Sequence, residues 1–157
     1  MIVAKVVVVG RAEAGKSTLV NALTARAMNL AVRGRTVAMD HGLLERGADA
    51  LALVGLPGQK RFAPVRDVLV SGARGALFVH PAGEAYDPAT VALLGGHALR
   101  NVPYLVFVNR REATPAGVAE ESPPGLRPPK AILSGDLAQP GPILRDLQEA
   151  TWRLLDL

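Results

Sequence analysis

The stretch that decides the fold is IVAKVVVVGRAEAGKS, residues 2–17. Its first part, 2–9, is an almost unbroken run of β-branched apolar residues, which is typical of a strand buried on both faces of a parallel sheet. Its second part, 10–17, has the spacing G-x-x-x-x-G-K-[ST], in which a glycine-rich turn leads into a helix. A strand, a glycine loop and a helix in this order predict a phosphate-binding loop at the end of a buried strand.

The residue types of this loop suit a nucleotide. Gly10 and Gly15 let the backbone wrap an anion, so that successive N–H groups point at a phosphate. We expect Lys16 to reach the β- and γ-phosphates and stabilise charge there, and Ser17 to offer its hydroxyl to Mg²⁺. The other residues that we assign to the nucleotide site in this stretch are Glu13, Ala14 and Thr18.

Strand-like and helical patterns alternate along the rest of the chain. Strands are predicted at 48–56, 75–80, 103–109 and 130–135, and helices at 17–28, 87–100 and 142–155. This alternation is typical of an α/β fold. We predict a single domain over 1–157, with a six-stranded, mostly parallel sheet flanked by helices. The proline-rich segment 112–129 is predicted to be a degenerate helix followed by a rigid loop.

Composition narrows the function classes. The 157 residues are 49% hydrophobic and 20% charged, the balance of a globular protein, and the lack of cysteine excludes disulfides and thiolate metal sites. The net charge is +4, but the arginines are scattered and aromatic residues are few, which favours small anionic ligands over nucleic acid. The sequence shows no secretory signal and no lipidation cysteine, so we expect a cytoplasmic location without a direct membrane anchor.

Four further segments follow the phosphate loop in a specific order. They are RGRTVAMDHG (33–42), LALVGLPGQKRF (51–62), FVNRRE (107–112) and LSGD (133–136). This order resembles the small GTPases of the Ras superfamily, and is most similar to the bacterial branch of Mgl-type polarity GTPases and conservon-type G proteins. The resemblance implies a small G domain that binds GTP and GDP with Mg²⁺, hydrolyses GTP slowly and acts as a switch. It also implies a protein partner, either a roadblock-type regulator or another effector.

The resemblance assigns roles in two switch segments. Thr36 would bind Mg²⁺ through its hydroxyl and meet the γ-phosphate through its N–H. Gly58 would sense the γ-phosphate, and Gln59 would orient the attacking water. Arg33 lies three residues before Thr36, the offset at which Gα subunits carry a built-in arginine finger, so Arg33 or Arg35 is a catalytic candidate; an exposed loop arginine is the alternative.

One position departs from the family pattern. Gly55 stands where such GTPases usually carry an aspartate that holds Mg²⁺ through water. Our hypothesis is that Asp40, four residues after Thr36, supplies the substitute carboxylate. The alternative is an ordinary solvated aspartate on an edge strand.

Base recognition in this family depends on the pattern N-K-x-D. Asn109 matches directly, Arg110 would lie along the base as the family's lysine does, and Glu112 would accept hydrogen bonds from guanine. Glu112 is one methylene longer than aspartate, which leaves selectivity for GTP over ATP open. Ser134 and Gly135 stand at the Ser-Ala-Lys position, where the N–H of Gly135 would meet the guanine carbonyl.

Two other functions stay open from the sequence. A nucleotide-dependent interaction module with little hydrolysis, or with relaxed GTP/ATP selectivity, would account for Gly55 and Glu112. A P-loop phosphotransferase would need a lid and an acceptor pocket, for which 157 residues leave little room.

Overall fold

The computed structural model describes residues 1–24, 27–32, 35–57, 63–110 and 121–157, and within these ranges it describes the side chains except those of 27–32, 35–40 and 63–66. The strands are β1 (Ile2–Val9), β2 (Ala27–Val32), β3 (Arg35–Arg46), β4 (Asp49–Gly55), β5 (Gly75–Pro81), β6 (Tyr104–Asn109) and β7 (Ile132–Gly135). The helices are α1 (Lys16–Leu23), α2 (Ala63–Val70), α3 (Pro88–Gly95) and α4 (Gly141–Leu154).

The strands form one sheet in the order β2-β3-β4-β1-β5-β6-β7. Strands β4, β1, β5, β6 and β7 pair in parallel, whereas β3 runs antiparallel to β4 and β2 antiparallel to β3. The predicted α/β class with a mostly parallel sheet is confirmed. In the described part of the chain the sheet has seven strands, one more than the six predicted.

The additional strand is β2, whose first two residues, 27 and 28, belong to the end of a predicted helix. Helix α1 ends at Leu23, and Thr24 takes an extended conformation while its hydroxyl donates to the carbonyl of Val20 at 2.7 Å. Beyond it, Ala27–Val32 pairs with β3 as one arm of a hairpin. Pairing with the following strand thus overrides the helix-forming composition at the end of the predicted helix.

The continuous apolar run of β1 is explained by burial on both faces. Val6 and Val8 belong to the hydrophobic cluster that α1 and α4 cover, and Val7 and Val9 to the cluster that α2 and α3 cover. All four side chains are at most 1% exposed. Since β1 is the middle strand of the sheet, its end carries the following loop into the centre of one edge.

That edge also collects the ends of neighbouring strands. Val8 lies beside Gly55 at the end of β4, and Asn109 at the end of β6 lies beside Gly135 at the end of β7. Ligands of open α/β sheets bind in the crevice outside the carboxyl ends of the strands. No helix in the described ranges is long and apolar enough to cross a membrane, and the cytoplasmic location stays a prediction.

Candidate functional site

The loop between β1 and α1 has a backbone that only glycine accommodates at two positions. Gly10 has a φ of 155° and Gly15 a φ of 110°. A Cβ atom on Gly10 would lie 2.6 Å from the carbonyl oxygen of Val79, and one on Gly15 would lie 2.8 Å from Nδ2 of Asn109. Both glycines of the predicted phosphate loop are therefore required by the packing around them.

Lys16 lies across its own loop. Its Nζ donates to the carbonyl oxygens of Gly10 at 2.8 Å and Arg11 at 2.7 Å, and the N–H of Ala14 also donates to Arg11 at 3.2 Å. The ammonium group is half-buried at the start of α1. Ser17 follows it as an exposed residue in the first turn of that helix.

A cleft of about 690 Å³ opens beside this loop, within the range of small-molecule sites. The phosphate end of the cleft is our name for the part lined by Glu13, Gly15, Lys16, Ser17 and Thr18. The base end is our name for the part lined by Asn109, Asp136, Leu137, Ala138 and Gln139. The cleft thus joins the loop after β1 to the end of β6 and the loop between β7 and α4.

Asn109 connects the two ends. Its side chain is buried, its Nδ2 donates to the carbonyl of Ala14 at 3.2 Å, and its Oδ1 accepts the N–H of Leu137 at 3.3 Å. The backbone N–H of Arg110 donates to the carbonyl of Gly135 at 2.8 Å, which holds the ends of β6 and β7 together. These bonds fix the loop after β7 against the loop after β1.

The structure brings many of the predicted site residues together. Those on the cleft or the loop that frames it are Gly10, Glu13, Ala14, Gly15, Lys16, Ser17, Thr18 and Asn109. Arg110, Ser134 and Gly135 lie at the adjacent ends of β6 and β7. Arg33, Gly58, Gln59 and Glu112 lie outside the described residues, while Thr36 and Asp40 are placed in β3 by their backbone.

The sequence analysis did not assign Asp136 or Gln139, although both line the cleft. The carboxylate of Asp136 accepts the N–H of Ala138 at 2.9 Å, and the N–H of Gln139 donates to the carbonyl of Asp136 at 3.0 Å. The aspartate directly after the Ser-Gly pair was the available signal. Whether that aspartate lines the cleft depends on how the loop after β7 turns, which the sequence alone does not show.

The pairing of β3 with β4 bears on the missing aspartate. His41 pairs with Val54, so continuing this antiparallel register by one residue sets Asp40 opposite Gly55. On its other side Gly55 pairs with Val8 of β1, two residues before the glycine loop. Directly opposed residues of an antiparallel pair share a face of the sheet. Position 40 is therefore next to the position where the family pattern has its carboxylate.

A second set of contacts links the loop after β1 to the residues that follow β5. The guanidinium of Arg11 makes a two-pronged ion pair with the carboxylate of Glu84, with distances of 2.9 to 3.0 Å. The carbonyl of Glu84 lies 3.0 Å from Nε2 of His80, whose ring stacks on that of Tyr86. Burial lowers the pKa of His80, and the bond to Glu84 partly opposes that shift.

A parallel sheet with a glycine-framed loop between β1 and α1, and a lysine across that loop, defines the P-loop class of nucleotide-binding proteins. The family model described as the 50S ribosome-binding GTPase matches residues 5–110, more than half of the chain. The protein therefore belongs to this family of GTP-binding P-loop GTPases.

An uncharacterized protein of Methanocaldococcus jannaschii is 31% identical over 108 residues, which cover 69% of this chain and 70% of that protein. Among solved structures, a bacterial selenocysteine-specific elongation factor has a TM-score of 0.76 at 17% identity, over 99% of this chain and 29% of that chain. The cytosolic domain of L. pneumophila FeoB has a TM-score of 0.67 at 19% identity, over 96% of this chain and 68% of that chain.

The elongation factor SelB of Methanococcus maripaludis, solved with a GTP analogue, has a TM-score of 0.72 at 16% identity. That comparison covers 98% of this chain and 34% of SelB. This chain therefore spans about a third of each of the two elongation factors. At these identities the solved structures support the fold alone. Membership of the Mgl-type or conservon-type branch stays a prediction.

Proposed function

We propose that the protein binds GTP and GDP with Mg²⁺, hydrolyses GTP slowly, and acts as a nucleotide-dependent switch toward a protein partner. The observation that carries the proposal is the glycine-framed loop, which opens into a nucleotide-sized cleft and across which Lys16 donates hydrogen bonds. A roadblock-type regulator is the partner that the sequence resemblance favours.

In our proposal Lys16 binds phosphate at the phosphate end. Lys16 holds two backbone carbonyls of its own loop, and a phosphate would compete with these neutral acceptors as an ionic one. Mg²⁺ fits here because it takes oxygen ligands and keeps one or two protein groups beside substrate phosphates. Ser17, beside Lys16 on the cleft, carries a hydroxyl that could hold it.

The catalytic part of the proposal comes from the sequence pattern. Phosphoryl transfer depends on positioning and charge stabilisation. In our proposal Lys16 stabilises charge on the phosphates, Gln59 aligns the water, and Thr36 and Gly58 sense the γ-phosphate. Arg33 adds a positive charge in the transition state, and Arg33→Ala should then lower the single-turnover rate by about 10³-fold. An unchanged rate would remove Arg33 from the mechanism.

We propose that Asp40 replaces the carboxylate missing at position 55. The support is the pairing of His41 with Val54, whose continuation by one residue would set Asp40 opposite Gly55, which itself pairs with Val8 of β1. Asp40→Ala should weaken Mg²⁺ affinity in the nucleotide complex about 10- to 100-fold, as loss of an outer carboxylate does. Adding Gly55→Asp to that variant should restore it. Asp49→Ala, at the exposed hairpin tip, is the control, and an unchanged Mg²⁺ dependence in Asp40→Ala would contradict the assignment.

For base recognition we propose that Arg110 lies along the guanine ring and that the N–H of Gly135 donates to the guanine carbonyl. Ser134 and Glu112 complete the pocket. The support is the pairing of Asn109 with Gly135 and the bond from Arg110 to Gly135, which keep these segments side by side.

The test is equilibrium binding of GTP, GDP and ATP with and without Mg²⁺, followed by phosphate release in the same samples. Wild type should bind guanine nucleotides in a Mg²⁺-dependent way and release phosphate slowly. Lys16→Ala should lose most of this affinity, whereas Lys130→Ala, at an exposed site away from the cleft, should not. Binding that Lys16→Ala leaves intact would contradict the proposal.

One observation favours a second candidate function. Because Gly55 brings no carboxylate, the protein could bind nucleotide as an interaction module and scarcely hydrolyse it. Tight Mg²⁺-dependent binding without phosphate release over many hours would favour that function over the switch GTPase.

A further inference from the structure

The base end of the cleft carries a carboxylate for which the family pattern gives no role. Asp136 stands where the family has a lysine, and it lines the same cleft as Lys16 and Asn109. The bond from the N–H of Ala138 to Oδ1 fixes the carboxylate in a tight turn. A carboxylate offers about four acceptor positions, so this single bond leaves capacity for donors on a ligand.

Asn109 is committed to holding the site together. Its amide is engaged on both sides, with Ala14 through Nδ2 and with Leu137 through Oδ1, and it is only 7% exposed. These bonds place the loop that contains Asp136 against the phosphate loop. The choice between bases then depends also on the other side chains of the base end.

The chemistry of an anchored carboxylate suits one base. It accepts hydrogen bonds and donates none, and it binds best where two donors lie side by side. Guanine presents such an edge, with N1–H next to the amino group on C2, whereas adenine presents a ring-nitrogen acceptor beside a single amino group. A carboxylate therefore attracts the guanine edge and repels the lone pair of adenine N1.

We propose that Asp136 is a specificity-determining residue that accepts hydrogen bonds from the donor edge of a guanine base. The inference rests on the proposed nucleotide binding and makes the base-end loop, rather than Glu112 alone, the part that distinguishes guanine. The carboxylate of Asp136 also repels phosphate groups, so we expect a nucleotide to bind with its base, and not its phosphates, next to residues 136–139.

The experiment compares Asp136→Asn with Glu112→Gln by measuring Kd for GDP, xanthosine diphosphate and ADP. Asparagine keeps an oxygen that accepts the N–H of Ala138, so the tight turn is retained. Its amide nitrogen, however, replaces the second carboxylate oxygen, so a donor stands where an acceptor was. Xanthine has a carbonyl where guanine has an amino group and complements that donor. We expect the ratio of GDP affinity to xanthosine diphosphate affinity to fall by about 100-fold or more in Asp136→Asn, because guanine loses one hydrogen bond and xanthine gains one, at about tenfold each.

Two further variants make the result decisive. Asp136→Ala should weaken GDP binding without improving binding of xanthosine diphosphate, and Asp146→Asn, on an exposed position of α4, should change neither Kd. An unchanged ratio in Asp136→Asn would overturn the inference, whether or not Glu112→Gln shifts it. Failure of the proposed function looks different: wild type would then bind none of the three diphosphates in a manner that depends on Lys16.

Discussion

The phosphate end and the base end of the cleft are built by different means. The phosphate end is shaped by the main chain of one short loop, in which Gly10 and Gly15 meet neighbouring atoms too closely for any side chain. The base end takes its residues from two segments and is held in place by one buried amide, that of Asn109. The residues of the first end are contiguous in the sequence and form a recognisable motif, whereas those of the second come together only once distant parts of the chain have packed.

The largest effect should come from filling the space at Gly10. In Gly10→Ala the new methyl group meets the Val79 carbonyl, so we expect nucleotide affinity to fall more than about 100-fold, since a misplaced phosphate loop loses several hydrogen bonds at once. Gly47→Ala is the matched control, because Gly47 also has a positive φ, 62°, but has open space around it. It should cost about 1 kcal/mol of stability and leave binding unchanged. Equal titration curves for the two variants would show that the loop is not shaped by packing.

Removing the connection between the two ends should have the next largest effect. Asn109→Ala leaves the carbonyl of Ala14 and the N–H of Leu137 without their partner, at about 1–3 kcal/mol each when buried. We expect a lower melting temperature and about a 10- to 100-fold weaker Kd for GDP by calorimetry. Asn101→Ala, at an exposed position, should behave as wild type. If Asn109→Ala binds normally, the base end does not need this bridge.

A smaller effect should appear in the pH dependence of stability, through His80, which contacts the residue that pairs with Arg11 of the phosphate loop. Burial lowers the pKa of His80 in the folded state below its usual 6.5. As the pH falls below that value the unfolded chain takes up a proton that the folded chain refuses, so stability is lost on acidification, by at most about 1.4 kcal/mol per pH unit. The free energy of unfolding of His80→Phe should fall less steeply between pH 7 and 5.

His41 keeps part of the slope in that variant, since burial lowers its pKa as well. The exposed His97 provides the control variant His97→Gln, which should retain the wild-type profile. An identical slope in His80→Phe would mean that His80 takes up its proton equally in both states.

The smallest effect should come from the ion pair of Arg11 with Glu84, which is about one third to one half exposed. Such pairs contribute roughly 0.2–1 kcal/mol and are screened by salt. We expect Glu84→Gln to speed GDP release by up to about fivefold at low salt, and the difference from wild type to vanish at high salt. Glu45→Gln, on the exposed β3–β4 hairpin, is the control for general charge effects, and a salt-independent change would point to a role other than the ion pair.

The sequence predicts the fold where its determinants are local. The strand runs at 75–80 and 103–109 are found as Gly75–Pro81 and Tyr104–Asn109, because short apolar runs that alternate with helical patterns favour buried parallel strands. It missed β2, because the helical pattern predicted over 17–28 ends at Leu23 in the structure, and residues 27–32 form a strand through pairing with β3. It also did not identify α2 as a separate helix, although Pro64 stands in its first turn.

The candidate site divides along the same line. Gly10, Gly15 and Lys16 could be predicted because they stand in one contiguous motif of characteristic spacing. Asp136 could not, because its place on the cleft depends on the bond between Leu137 and Asn109, residues 28 apart in the chain. The relation of Asp40 to Gly55 needed the register of β3 against β4, which no local pattern specifies.

The bridge through Asn109 has a consequence for how the molecule acquires its shape. Ala14 and Asn109 are 95 residues apart, and contacts between distant residues form only after the entropy of closing the intervening chain has been overcome. The glycine loop can take up its turn early, but the cleft is complete only when β6 and β7 have joined β1 and β5. Nucleotide capture should thus be among the last native properties to emerge during refolding, and a bound nucleotide marks chains whose sheet has fully assembled.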